Sequence, residues 1–188
     1  MGELTGSLPR PRLHQQARWR DVTGFLFLAL MVLVALNLIS ARYLVDGESM
    51  RPNLADNEVL YISRLHYLIG APQRYDVAVF HHPATGEDDY IKRIIGLPGE
   101  RVEIRNTQVL VNDITLDEQY VLEPCTALRC RDDQWNLGPD EYFVMGDNRN
   151  LSTDSRVFGP VARHDFVGKA VLRYWPPAAW GIIDHAGP

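Results

Sequence analysis

Lysine is nearly missing from this 188-residue chain: Lys92 and Lys169 are the only lysines among 19 basic residues, so chemistry that needs a deprotonatable amine has two candidates. Cysteine is as scarce. Cys125 and Cys130 stand in EPCTALRC with no second Cys or His pair at ligand spacing, which argues against a zinc centre. His81 and His82 are adjacent and would point to opposite faces of a strand, so they do not readily share an ion, and neither a metal nor a cofactor is expected. Repeats, low-complexity stretches and Pro-rich linkers are absent. With 46% hydrophobic and 23% charged residues, the composition excludes disorder and collagen-like repetition. A second long apolar run is also lacking and the mean hydropathy is −0.18, which excludes a polytopic membrane protein. The length suits one catalytic or binding body.

Positive charge is short where a nucleic-acid binder would need it. The formal net charge is −5, but residues 1–42 carry five arginines against Glu3 and Asp21, a net +3, leaving residues 43–188 at −8. An acidic body lacks the basic groups that displace phosphate counterions, so no nucleic-acid partner is expected.

What is present is one apolar run. Thr23–Ser40, TGFLFLALMVLVALNLIS, holds 18 residues without a charge and as a helix would reach about 27 Å, close to the thickness of a bilayer's hydrocarbon core. Trp19 and Tyr43 flank it as interfacial aromatics, and the arginines before it outnumber the single Arg42 after it, which keeps the N-terminus cytoplasmic. The expected organisation is a cytoplasmic segment 1–22, a transmembrane anchor 23–40 and an extracytoplasmic body 41–188, with the lipid bilayer as a partner. A cleaved secretory signal is the alternative; the run is longer than a usual signal core, and Leu38-Ile39-Ser40-Ala41 is a poor small-x-small site. An oxidising outer compartment favours a Cys125–Cys130 disulfide over two reduced thiols.

Short β-rich runs bounded by turn residues fill the body: Val59–Ser63, Asp76–Phe80, Tyr90–Ile95, Arg101–Arg105, Gln108–Val111, Tyr142–Met145 and Val167–Tyr174. Asn106-Thr107 is suited to reverse a hairpin, and Gly96-Leu97-Pro98-Gly99 and Gly138-Pro139-Asp140 are turns. The body is predicted to be mainly antiparallel β. Residues 112–139 read as an irregular or extended hairpin insertion carrying the cysteines. Pro176-Pro177 stops the last strand, and the tail Ala178–Pro188 either lies along a membrane through Trp180, Ile182 and Ile183 or packs on the body.

Three segments have chemical potential. Ser49 sits between Gly47 and Pro52 in VDGESMRP, a plausible nucleophile turn but alone more often an ordinary one. Lys92 lies in YIKRII, where period-2 alternation puts Tyr90, Lys92 and Ile94 on one face; packed inward, the amine would be buried and its pKa lowered towards that of a general base, whereas on an edge strand it would snorkel to solvent. The loop GDNRNLSTDSR, residues 146–156, is either a solvated connection or a rigid set of side-chain hydrogen bonds supporting a site.

GESMRP, YIKRIIGLPGE and GDNRNLSTDSR, in that order behind one N-terminal span, together with RYDVAVF at residues 74–80, resemble bacterial type I signal peptidase, the membrane-bound Ser-Lys dyad protease family, in its small single-span members. The resemblance runs from the anchor to about Gly159. It implies that Ser49 is the nucleophile and Lys92 the general base, that Ser152 orients the Lys92 amine, that Asp154 and Arg156 form a supporting ion pair and that Asp147 orders the loop. Met50, Pro52 and Tyr90 would shape the substrate cleft. The implied fold is mainly β, an antiparallel body of two sheet regions behind one transmembrane helix, and the implied activity is removal of signal peptides from secreted preproteins at the outer face of the cytoplasmic membrane. Many relatives have Ser two places before the nucleophile; this chain has Gly47, so the oxyanion would rest on backbone amides including that of Ser49. Ser49 lies nine residues past the apolar run, which holds it within about 30 Å of the bilayer even on an extended linker.

Overall fold

The computed structural model describes residues 13–86 and 88–185. The chain divides into two units, one ending at Leu38 and the other running from Ile39. The first contains α1 (Leu13–Ile39), whose side chains are described for residues 21–34. Phe25, Leu26, Phe27 and Leu28, four consecutive positions that take in every side of a helix, are all exposed. Among the described residues no helix is long and apolar enough to cross a membrane. The first twelve residues of the expected segment 1–22, and the side chains closing the expected span 23–40, lie outside that set.

The second unit is mainly antiparallel β. Its strands are β1 (Ser40–Leu44), β2 (Val59–Ser63), β3 (Val77–His81), β4 (Asp89–Gly96), β5 (Arg101–Arg105), β6 (Gln108–Val111), β7 (Ile114–Thr115), β8 (Asp133–Asn136), β9 (Glu141–Met145), β10 (Val161–Ala162), β11 (Phe166–Trp175) and β12 (Gly181–Ile182). The larger sheet has the order β1-β2-β11-β3-β4-β9-β10, with β12 added on β11; the smaller is β7-β6-β5-β8. Alternation explains β2 and β5 directly: Leu60 and Ile62, and Val102 and Ile104, turn inward while their neighbours stay partly exposed. Asn106 and Thr107 both take positive φ and close the β5–β6 hairpin as a tight turn; Asn112 and Asp113 do the same between β6 and β7.

The structure corrects several expectations. Ser40 opens β1 instead of ending the apolar helix, because residues 40–44 pair in continuous register with β2, from Ser40 opposite Ser63 to Leu44 opposite Val59. Tyr43 is therefore a sheet residue. Residues 112–139 are less irregular than predicted: β8 completes the smaller sheet by pairing with β5, although Asp133-Gln134-Trp135-Asn136 has no apolar alternation to announce it. The tail packs on the body as far as it is described, through β12 and through Ile183, which is 6% exposed in the core of the larger sheet, while Trp180 and Ile182 face outward. Residues 186–188 lie outside the described set.

Candidate active site

Two unpaired strand edges make the cleft. β1 pairs with β2 alone, and β9 reaches β4 only at Arg93, Ile94 and Gly96, so the segment Asp89–Lys92 keeps one open edge among the described residues. Residues 43–49 form one wall of a cleft of about 520 Å³, residues 88–92 the other, and Leu60 and Val79 the floor. Backbone groups on both walls are free to take an extended peptide as an added strand. Asp46, Glu48, Asp88 and Asp89 make the lining acidic. Burial, reinforced by Asp89, pushes the Tyr43 hydroxyl up to about 12.

The turn after β1 presents Ser49. Gly47 takes φ +94, open to glycine without strain, and its N–H donates to Asp56 Oδ1 at 2.8 Å. Met50 then points away from the cleft into the core beside Val45, Leu54 and Leu60, so the backbone reverses with a small side chain outward and a large one inward. Met50 was expected to wall the cleft; it is 1% exposed and anchors the turn from below. Pro52 follows a cis peptide bond, is exposed, and does not line the cleft either. Of the three expected cleft residues Tyr90 alone lines it.

Lys92 Nζ lies 2.8 Å from Ser49 Oγ and 2.9 Å from the Ile91 carbonyl, 5.4 Å from the centre of the Tyr90 ring. The lysine is 5% exposed. Burial lowers its pKa from the ordinary value near 10.5 to about 8; Asp154 and Asp147 pull the other way but do not outweigh desolvation. At neutral pH about one molecule in ten then carries the free amine, against roughly 4 in 10,000 for an unperturbed lysine. The Ser49 N–H has no hydrogen-bond partner among the described residues and is open to a developing oxyanion.

The loop 146–156 backs this pair. Asn148 N donates to Ser49 O at 3.0 Å and Asn148 Nδ2 to Glu48 O at 3.2 Å, fixing the backbone around Ser49. Gly146 is required by space: an added Cβ would stand 2.3 Å from Ser152 Oγ and 2.5 Å from Ser49 O. Asp154, fully buried, accepts from Gly146 N at 3.0 Å and from Arg156 Nε and Nη2 at 2.7 Å each. Burial by itself would raise this carboxyl; the Arg156 pairing and the Gly146 N–H overcome that and hold it below the usual carboxylate range. Ser152 is buried beside Asp154, whose carboxylate it helps to stabilise; its Oγ makes no bond to Lys92, whose amine is directed to Ser49 and the Ile91 carbonyl instead. Cys125 and Cys130 are joined by a disulfide beside Arg156.

Period-2 reasoning missed Arg93. It lies on the face opposite Lys92 and is 1% exposed, because that face is covered as well, with the centre of the Tyr120 ring 4.4 Å from the guanidinium. Arg93 meets Asp147 through two bonds of 2.8 Å, and its Nη1 donates to the carbonyls of Tyr75 and Asp184. Asn53 Nδ2 also donates to Asp147, at 2.8 Å. The available signal was an arginine between isoleucines, which needs a carboxylate once its strand is covered; Asp147 was assigned only to its own loop. Arg149 and Glu118 form a second such pair, the carboxylate coming from the 112–139 segment.

A profile of the family described as signal peptidase, peptidase S26, matches residues 18–175. The chain is similar to a signal peptidase I of Bacillus caldolyticus, 38% identical over 168 residues that cover 80% of this chain and 88% of that protein. A signal peptidase I of Leptolyngbya laminosa is 38% identical over 168 residues, 81% of this chain and 79% of that protein. Signal peptidase IB of Staphylococcus aureus is 37% identical over 153 residues, 73% and 79% of the two chains.

Proposed function

The chain belongs to the signal peptidase family, peptidase S26, and on that premise we propose that Ser49 is its nucleophile and Lys92 its general base. It is a serine peptidase, a hydrolase that removes signal peptides from preproteins. The observation that carries the residue assignment is the 2.8 Å contact between Ser49 Oγ and the amine of a lysine that burial has brought to a pKa of about 8.

In the reaction so assigned, the signal peptide lies as a strand between residues 43–49 and 88–92. Neutral Lys92 takes the proton of Ser49 Oγ as the oxygen attacks the scissile carbonyl, and the Ser49 N–H stabilises the oxyanion. The resulting ammonium gives its proton to the leaving amine, the new N-terminus of the mature protein. An acyl-Ser49 intermediate remains; Lys92, neutral again, takes a proton from water as it attacks the ester, and the ammonium returns that proton to the departing Ser49 Oγ, freeing the signal peptide and restoring the enzyme. Ser152 completes the base's surroundings: its buried hydroxyl is a neutral partner for the amine once Lys92 swings off Ser49. Asp154 and Arg156 hold the loop behind it, and Asp147 ties that loop to β4 through Arg93.

The same proposal places the enzyme on a membrane by one span. Its support is the charge-free run, the range of α1 and the exposed Phe25, Leu26, Phe27 and Leu28, which water solvates poorly and hydrocarbon well. The N-terminus would be cytoplasmic, the span would close at Ile39, and the body from Ser40 onward would be extracytoplasmic.

The test is processing of a preprotein by the detergent-solubilised chain beside Ser49→Ala and Lys92→Ala. Each variant should leave the preprotein uncut, with the double variant no worse than either single one. Substantial cleavage by Ser49→Ala would overturn the nucleophile assignment.

A further inference from the structure

The Cys125–Cys130 disulfide faces the catalytic loop and not the surface. Cys125 is 7% and Cys130 1% exposed, and Arg156 Nη1 lies 3.2 Å from Cys130 Sγ and 3.5 Å from Cys125 Sγ. The same nitrogen donates to the carbonyls of Arg149 at 2.9 Å and Arg129 at 3.4 Å, and Arg129 is one of the four residues between the two cysteines that the disulfide closes into a loop. Two further bonds stitch the segments together: Thr126 N to Asn150 Oδ1 at 2.9 Å and Asn150 Nδ2 to Pro124 O at 3.3 Å. One side of the Arg156 guanidinium is thus seated on the disulfide loop. The other side grips Asp154, a carboxylate whose charge favours the Lys92 ammonium.

We propose that the Cys125–Cys130 disulfide is a positioning element for the catalytic base: it walls Arg156 against Asp154 and so sets the field at Lys92. The inference rests on the Ser49–Lys92 reading above. The groups around Lys92 define the direction of the effect. Ser49, the Ile91 carbonyl and the Tyr90 ring are neutral; Asp154 and Asp147 come from the loop behind, the latter neutralised by Arg93; Asp46, Glu48, Asp88 and Asp89 line the cleft in front. Opening the disulfide frees the loop that carries Arg129 O and lets water reach Arg156. Asp154 is then less fully neutralised, and the base is less dry. Both changes favour the ammonium.

The experiment measures kcat/KM against pH for the full chain in detergent, with a peptide spanning the cleavage site of a preprotein that the chain processes. Four samples are compared with the oxidised enzyme: the enzyme reduced by a phosphine with both thiols counted, Cys125→Ala/Cys130→Ala, Arg156→Lys, and Arg156→Lys after reduction. Reduction should move the ascending limb up by about half a unit, lowering kcat/KM about threefold at pH 7 while the alkaline plateau stays. Arg156→Lys should shift the limb the same way, and reducing it should add nothing, because the seat no longer holds its partner. If the alanine pair does not fold, the reduced wild-type chain reads the same quantity. A limb that stays in place after verified reduction overturns the inference, whatever happens to stability, and so does an equal further shift in Arg156→Lys. A wild-type limb near pH 4 would instead sink the dyad itself.

Discussion

Replacing Lys92 by methionine should make the folded chain more stable at neutral pH while abolishing its activity. The fold holds Lys92 5% exposed, and its pKa falls from near 10.5 to about 8, so the ammonium is disfavoured in the folded state. That lowering corresponds to roughly 3 kcal/mol. Because the folded value lies below the unfolded one, the unfolded chain binds more protons between pH 8 and about 10.5, and stability rises with pH across that window and is lowest below it. Methionine has similar volume and no charge. It recovers the cost below pH 8, less what is lost when Ser49 Oγ and the Ile91 carbonyl lose their donor, about 1 kcal/mol for each neutral bond. A net gain of about 1 kcal/mol is expected at pH 7, turning to a loss by about pH 10.5, where most of the cost of burying the ammonium is gone. Denaturant unfolding of both proteins in the same detergent, followed by tryptophan fluorescence at the two pH values, reads the difference. A methionine variant less stable than the wild type at pH 7, or a difference that does not change with pH, would refute the claim that burial strains this base.

Arg93→Gln should cost about 3–5 kcal/mol, since it leaves Asp147 charged and buried, whereas Arg93→Met/Asp147→Leu should cost less than Arg93→Gln alone; denaturant midpoints decide, and a milder single than double variant would show that the pair is not buried as described. A chain beginning at residue 39 should fold and cleave peptides, but should process membrane-embedded preproteins more slowly than the full chain for want of effective concentration at the bilayer. A chain beginning at residue 43 should be less stable, because it removes Ser40, Ala41 and Arg42 from the β1–β2 ladder. Equal rates on membrane-embedded preprotein with and without α1 would refute the anchoring role.

Local patterns in the sequence were enough for most of the β body. Val59–Ser63 and Arg101–Arg105 are strands because their alternation matches the pleat, and Asn106-Thr107 turns because those residues tolerate positive φ. Ser49 and Lys92 stood out as candidates through their motifs and through the oddity of an amine inside an apolar run, and the fold sets them 2.8 Å apart. What the sequence could not decide is how many faces a strand has covered. Alternation put Lys92 and Arg93 on opposite faces without telling which face is covered; in the folded chain both are, so that Lys92 is dry beside Ser49 with its pKa lowered and Arg93 needs Asp147, 54 residues away. β8, Met50 and the seat of Arg156 are alike in this respect. A polar strand pairs because β5 offers it a ladder, a methionine turns inward because a core lies beneath its turn, and a disulfide meets a guanidinium because two loops distant in the chain share one small space. Periodicity and turn chemistry are properties of neighbouring residues and can be read from them, whereas burial and charge pairing are properties of the assembled sheets and exist only once these have closed.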